Sequence, residues 1–117
     1  MRVGLVATEL MLLSRVDAAA GTAGATLVRA DHPAALPGGL DLVLVDWSAP
    51  DPDWADVLRA LAASGTRVVL FGPHTDLAAH AAAREAGLGP MWARSKLFST
   101  LPDLLGTTPE GTASASA

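Results

Sequence analysis

The sequence predicts an α/β fold: a five-stranded parallel sheet in the order 2-1-3-4-5, with helices on both faces. Three observations predict it. Short apolar runs alternate along the chain with segments of helical period. The run from Leu40 to Val45 is apolar at every position but Asp41, as a strand buried on both faces requires. Five such runs in 117 residues make one domain joined by right-handed crossovers.

Arg2 to Ala7 is expected to form the first strand. Thr8 is placed to cap a helix through Glu9, Leu10, Leu13, Val16, Asp17 and Ala20, with Leu10, Leu13 and Ala20 near one face. Gly21 and Gly24 are expected to end it. Ala25 to Ala30 forms the second strand, closed by Asp31-His32-Pro33. The segment Ala34 to Gly39 is too short and too rich in Pro and Gly for more than one helical turn. The second crossover helix is therefore reduced or absent, and one face of the sheet is thinly covered there.

Leu40 to Val45 is the third strand. Asp51 then suits an N-cap with Pro52 at the first helical position, ahead of Trp54, Val57, Leu58 and Leu61 at amphipathic spacing. Gly65 stops that helix, and Arg67 to Phe71 forms the fourth strand. Thr75 is placed to cap an alanine-rich helix over Asp76 to Ala86, stopped by Gly87. Met91 to Ala93 reads as a short fifth strand, before a last helix around Phe98 to Leu105. Pro102 fits only near the start of that helix, so a break is expected there. One domain spans residues 1–105, and the Gly, Thr, Ser and Ala of 106–117 read as a disordered tail.

Half of the residues are hydrophobic and 17% are charged, which predicts a folded chain. Much of the apolar share is alanine, so the core rests on the Leu and Val runs with Trp47, Trp54, Phe71, Trp92 and Phe98. With no cysteine there is no disulfide, thiolate nucleophile or thiolate metal site. A formal charge of −4 and scattered basic residues argue against a nucleic-acid surface. No apolar segment approaches the length of a membrane span and no signal peptide is recognisable, so a cytoplasmic location is the simple expectation.

In a doubly wound sheet, chemistry collects at the carboxyl ends of the strands. The residues delivered there are Ala7-Thr8-Glu9, Asp31-His32, Asp46-Trp47, Gly72-Pro73-His74-Thr75 and Arg94-Ser95-Lys96. The strand run ending in Asp46, with Pro50 four residues on, resembles the surroundings of the phospho-accepting aspartate in response-regulator receiver (CheY-like) domains, and the likeness extends from Met1 to about Leu105. It implies the flavodoxin-like fold, a role in two-component signal transduction and a degenerate phosphoacceptor site of Asp46, Lys96, Glu9 and Thr8. Lys96 resembles the lysine after strand five, although Leu97 stands where receivers usually have proline.

Two departures change the expected chemistry. The adjacent acidic pair that holds magnesium in receivers reads Ala7-Thr8, and Phe71-Gly72 replaces the Thr or Ser ending strand four. Phosphoryl transfer depends on positioning and charge neutralisation, with the metal supplying much of the latter. Asp46, with Glu9 nearby, would repel an incoming phosphate. The expectation is a pseudo-receiver: no enzyme, no metal and no cofactor. Ser14-Arg15-Val16, Phe71 to Asp76 and Ala93 to Phe98 resemble segments of short, stand-alone receiver-like bacterial proteins.

Plainer readings stand beside these. Asp46 serves equally well as a strand-end cap for backbone N–H groups. His74, Thr75 and Arg94 form a candidate pocket, in which an exposed loop histidine is the simpler reading of His74 because metal-ligand spacing is missing. Arg94 and Lys96 suit an anion or are a solvated pair. Gly21-Thr22-Ala23-Gly24 ends a helix and is no dinucleotide fingerprint. The alanine-rich helix packs on the sheet or offers a flat partner face with Trp92 as an anchor. Three functions follow: a non-catalytic regulatory module acting through an unidentified protein partner or as a homodimer, a weak phosphoacceptor using Asp46, and a small-ligand-binding domain.

Overall fold

Alternation along β3 (Leu42–Asp46) sets the layout of the molecule. Leu42 and Leu44 face one helical layer, Val43 and Val45 the other, and all four are buried. A computed structural model describes residues 1–47 and 53–106. Around β3 lie β1 (Arg2–Val6), β2 (Thr26–Ala30), β4 (Arg67–Gly72) and β5 (Trp92–Ala93). All pairs are parallel and the order is β2-β1-β3-β4-β5, as the alternation of the sequence predicts.

One layer holds α1 (Leu10–Ala23) and α4 (Arg94–Gly106). Their core joins Val3 and Leu5 of β1 to Leu42, Leu44, Val69 and Phe71, under Leu12, Val16 and Ala20 of α1 and Leu97, Leu101, Leu104 and Leu105 of α4. The other layer holds a three-residue 3₁₀ turn (Pro33–Ala35), α2 (Trp54–Ala63) and α3 (Leu77–Glu85). It buries Val6, Val43, Val45, Leu70, Trp47, Trp54, Leu58, Ala79, Ala83 and Met91. The expected missing second helix is this single turn. Leu36 and Leu40 cover the gap: a Cβ at Gly4 would meet Leu40 Cδ1 at 2.8 Å and Leu36 Cδ2 at 3.1 Å. Glycine on β1 is what lets the loop lie directly on the sheet.

Several local expectations are corrected. Thr8 does not cap α1; Glu9 takes the N-cap position and makes no side-chain cap bond. The helix runs through Gly21 and ends at Gly24, whose φ of 73° provides the left-handed cap. Its buried stripe is Leu12, Val16 and Ala20, and Leu10 is 76% exposed, so the phase of the helix differs from the expected one. Asp76, not Thr75, caps α3, accepting the Ala79 N–H at 3.0 Å.

The last helix starts at Arg94, four residues before the expected Phe98, and it passes through Pro102 without stopping. Leu97, fully buried, begins its apolar stripe. Pro102 is exposed, where water can take the carbonyl that its missing N–H leaves open. The expected cap at Asp51-Pro52, the proline at 50 and the tail beyond Gly106 lie outside the described residues. Among the described residues no helix is long and apolar enough to cross a membrane.

Candidate functional site

Strand parity delivers the first member of the site. Asp46 follows Leu42 and Leu44 in the alternation and so faces the α1/α4 layer, at the carboxyl end of β3 and beside Phe71 in register. Trp47, one residue on, turns to the other layer; its N–H donates to the Phe71 carbonyl at 2.8 Å and its ring is 3% exposed. Asp46 is half-buried, its side chain 16% exposed.

Arg94 comes to the same place because α4 starts directly from the end of β5. Its Nη1 donates to Glu9 Oε1 at 2.6 Å and its Nη2 to Asp46 Oδ2 at 3.5 Å. Glu9 is free for this because it is not used as a side-chain cap. One guanidinium thus ties together the β1–α1 junction, the end of β3 and the start of α4. The two legs are unequal: 2.6 Å is a short charge-assisted bond, whereas 3.5 Å lies at the edge of hydrogen bonding. Arg94 Nε is buried and has no acceptor among the described residues.

The other candidates are placed differently. Lys96 lies on the helix with its Nζ 4.7 Å from the Trp92 ring centroid, a cation–π contact, so Arg94 and not Lys96 reaches Asp46. Thr8 is exposed, and its side chain makes no bond that caps α1. His74 is exposed, and its carbonyl pairs with His80 Nε2 at 3.2 Å. A cavity of about 480 Å³ at the ends of β4 and β5 is lined by Gly72, Pro73, His74, Ala93, Arg94 and Ser95. His74 and Arg94 therefore share a cavity as the candidate pocket requires, Thr75 lies outside its lining, and Ser95 joins it. Ser95 does not stand out as a pocket residue in the sequence, where it falls between the fifth strand and the expected helix start at Phe98; the start of α4 at Arg94 places it.

A second cavity of about 260 Å³ lies between α1 and α4, lined by Glu9, Met11, Leu12, Arg15, Arg94 and Phe98. Arg15 stacks over Phe98, 3.7 Å from its centroid. The signal for this contact was in the sequence as Ser14-Arg15-Val16, but its partner needed the fold.

Magnesium is the ion that the receiver resemblance implies, and the residues present do not fit it. A divalent ion of this kind takes carboxylate oxygens in octahedral geometry. Here Ala7 and Thr8 offer no carboxylate, and the two acids that meet, Glu9 and Asp46, meet on a guanidinium. Among the described residues no group of three or more His, Asp and Glu side chains could hold a metal ion.

No protein-family model and no curated protein sequence matches the chain. Solved structures do. A response regulator receiver domain protein from Clostridium thermocellum superposes with a TM-score of 0.63 at 14% identity, over 96% of this chain and 98% of that one. A CheY-like receiver domain protein from Methanospirillum hungatei gives 0.66 at 15% identity, over 89% and 92%. A putative CpaE2 pilus assembly protein from Sinorhizobium meliloti gives 0.57 at 18% identity, over 86% and 97%. At these identities the likeness is one of fold. Five parallel strands in the order 2-1-3-4-5, clothed by helices on both faces, give this chain the architecture of the CheY-like receiver domains.

Proposed function

We propose that this chain is a non-catalytic regulatory module on a receiver scaffold, which signals through contact with a protein partner and is not switched by magnesium-dependent phosphorylation of Asp46. The observation that carries this reading is the Arg94 bridge. A fixed positive charge bonded to both Glu9 and Asp46 supplies the neutralisation that a receiver would take from a metal ion. It stands on the residue whose oxygen would have to attack a phosphoryl donor. A carboxylate engaged in this way, with no acidic pair at Ala7-Thr8, is a poor nucleophile for a dianionic phosphate.

Contact with a partner is supported by the surface at the same end of the molecule. Leu10 and Met11 at the start of α1 and Leu77 at the start of α3 are 76%, 74% and 77% exposed. Leu10 and Met11 open α1 next to Glu9, and Met11 lines a cavity with Arg94, while Leu77 opens α3 in the other layer, also after the carboxyl end of a strand. Large apolar side chains left exposed beside polar and charged neighbours have the composition of a contact surface. Trp92 is half-buried and covered by Lys96, which makes it a lesser anchor than these three. A second copy of this chain and a different protein are both compatible with that surface.

The test is intact-mass spectrometry after incubation with acetyl phosphate and Mg²⁺. The expected result is no gain of a phosphoryl group. A gain that disappears in Asp46→Asn would overturn the reading in favour of a weak phosphoacceptor.

A further inference from the structure

We propose that β2 is an interface strand: its free edge pairs antiparallel with β2 of a second copy of this chain, about a two-fold axis through Val28. The inference goes beyond the proposed function, because it concerns the edge of the sheet and not the surface around Arg94, Leu10 and Met11.

Backbone parity defines what the edge offers. β2 is the last strand of the sheet on its side, and its register with β1 runs from Arg2 opposite Thr26 to Val6 opposite Ala30. The Thr26 N–H donates to the Met1 carbonyl at 2.9 Å. In a parallel pair the N–H and C=O of one residue point to the same side, and the side alternates from residue to residue. Thr26, Val28 and Ala30 therefore bond to β1, and Leu27 and Arg29 turn their N–H and C=O groups outward. Those outward groups have no partner among the described residues.

The two edges of the sheet are treated unequally. β5, at the far edge, is two residues long, and so short an edge gives another strand little to pair with. β2 is five residues in continuous register, with no proline and no bulge, and Arg29 is its only charge. The helix that would cover this strand on one face is reduced to the turn at Pro33–Ala35, and Val28 is left half-buried there.

Charge and parity select the register. A two-fold pairing must set outward residues opposite one another. Arg29 opposite Arg29 brings like charges face to face, which is destabilising. Leu27 opposite Leu27 sets Arg29 against Ala25, whose N–H is already given to the Ala20 carbonyl at 2.8 Å. Leu27 opposite Arg29 avoids both faults. Every outward N–H and C=O of the two residues is then paired, the leucine packs along the methylene stem of the arginine, and Val28 meets Val28 as the close, non-hydrogen-bonded pair. A strand that satisfies itself in this way is the self-complementary patch that a two-fold dimer requires. The pairing joins two sheets into one and points their carboxyl ends in opposite directions, so both Arg94 sites stay open. One short strand is a small contact, and the dimer is reversible.

The experiment follows amide hydrogen exchange of the full chain by NMR, with sedimentation velocity, from about 20 µM to about 1 mM, the range in which a small interface associates. Dimer is expected to grow with concentration. Exchange should slow with it at Leu27 and Arg29, and far less at Thr26, Val28 and Ala30, whose amides β1 already holds. Arg29→Pro removes an outward N–H that the monomer does not use, at an edge where proline is tolerated. It should weaken dimerisation about tenfold or more, through one hydrogen bond lost in each half of the symmetric contact. Arg29→Ala keeps the N–H and should stay within about threefold of the wild type. The amide spectrum of each variant checks its fold; if proline disturbs it, the wild-type exchange pattern decides. A monomer at every concentration, equal slowing at Leu27 and Val28, or protection of Leu27 and Arg29 that is independent of concentration would each overturn the proposal. So would a dimer untouched by Arg29→Pro, or an equal loss in Arg29→Ala. None of these outcomes alters the acetyl phosphate test of Asp46.

Discussion

β3 is flanked by an aspartate at each end, and the two are used differently. Asp41, just before the strand, accepts the backbone N–H of Arg2 at 2.7 Å through Oδ2. Its surroundings are also bonded to backbone: Arg2 Nη1 donates to the Gly38 and Gly39 carbonyls, and the buried Thr66 hydroxyl donates to the Leu40 carbonyl at 2.8 Å. Asp46, at the other end, is reached by a side chain from the far end of the sequence, and that side chain is shared with a third element. Bonds from side chain to backbone fasten a strand in register. Bonds among side chains of three junctions make a bridge whose members can exchange partners. The amino end of the sheet is a clamp, and the carboxyl end is a bridge of side chains.

That contrast can be broken most severely through the packing that supports the bridge. Leu97→Ala removes a fully buried side chain at the start of α4 and should cost about 2–5 kcal/mol in a denaturant melt. A smaller cost would mean that Arg94, and not the apolar stripe, anchors the helix. Thr66→Val tests the clamp: it leaves the Leu40 carbonyl without this donor in a buried setting and should cost about 1–3 kcal/mol. Asp41→Ala loses one more exposed bond at that end and should cost about 1 kcal/mol.

The bridge itself should matter least for stability. Arg94→Ala removes two partly exposed ion pairs and should change unfolding free energy by less than about 1 kcal/mol. A cost comparable to that of Leu97→Ala would make Arg94 a structural clamp like Asp41 and erase the difference between the two ends.

Much of this was legible in the sequence. The apolar run within Leu40 to Val45 identified a doubly buried strand, which begins at Leu42 after Asp41, and the short Ala34 to Gly39 segment announced the missing helix. Asp46 could be placed at the carboxyl end of the sheet from order alone. What could not be read was helix phase. The local sequence from Arg94 to Leu97 has no cap and no clear period, because the burial of Leu97 under the sheet, a tertiary contact, is what starts α4 there. Beginning the helix at Phe98 leaves Arg94 and Lys96 as loop residues of equal standing. Beginning it at Arg94 sends the two in different directions, one to Asp46 and the other over Trp92. The same kind of shift moved Leu10 from the expected core to the surface and Leu12 inward. Gly21 and Gly24 look alike in sequence, and only Gly24 takes the positive φ that ends the helix.

The most direct test of the central claim, that an arginine and not a metal ion answers the charge of Asp46, is a Mg²⁺ titration monitored by amide NMR. No saturable shifts are expected at Ala7, Glu9, Asp46 and Arg94 beyond those produced by matched sodium chloride. Saturable binding of Mg²⁺ at Asp46 in the wild-type chain would contradict it.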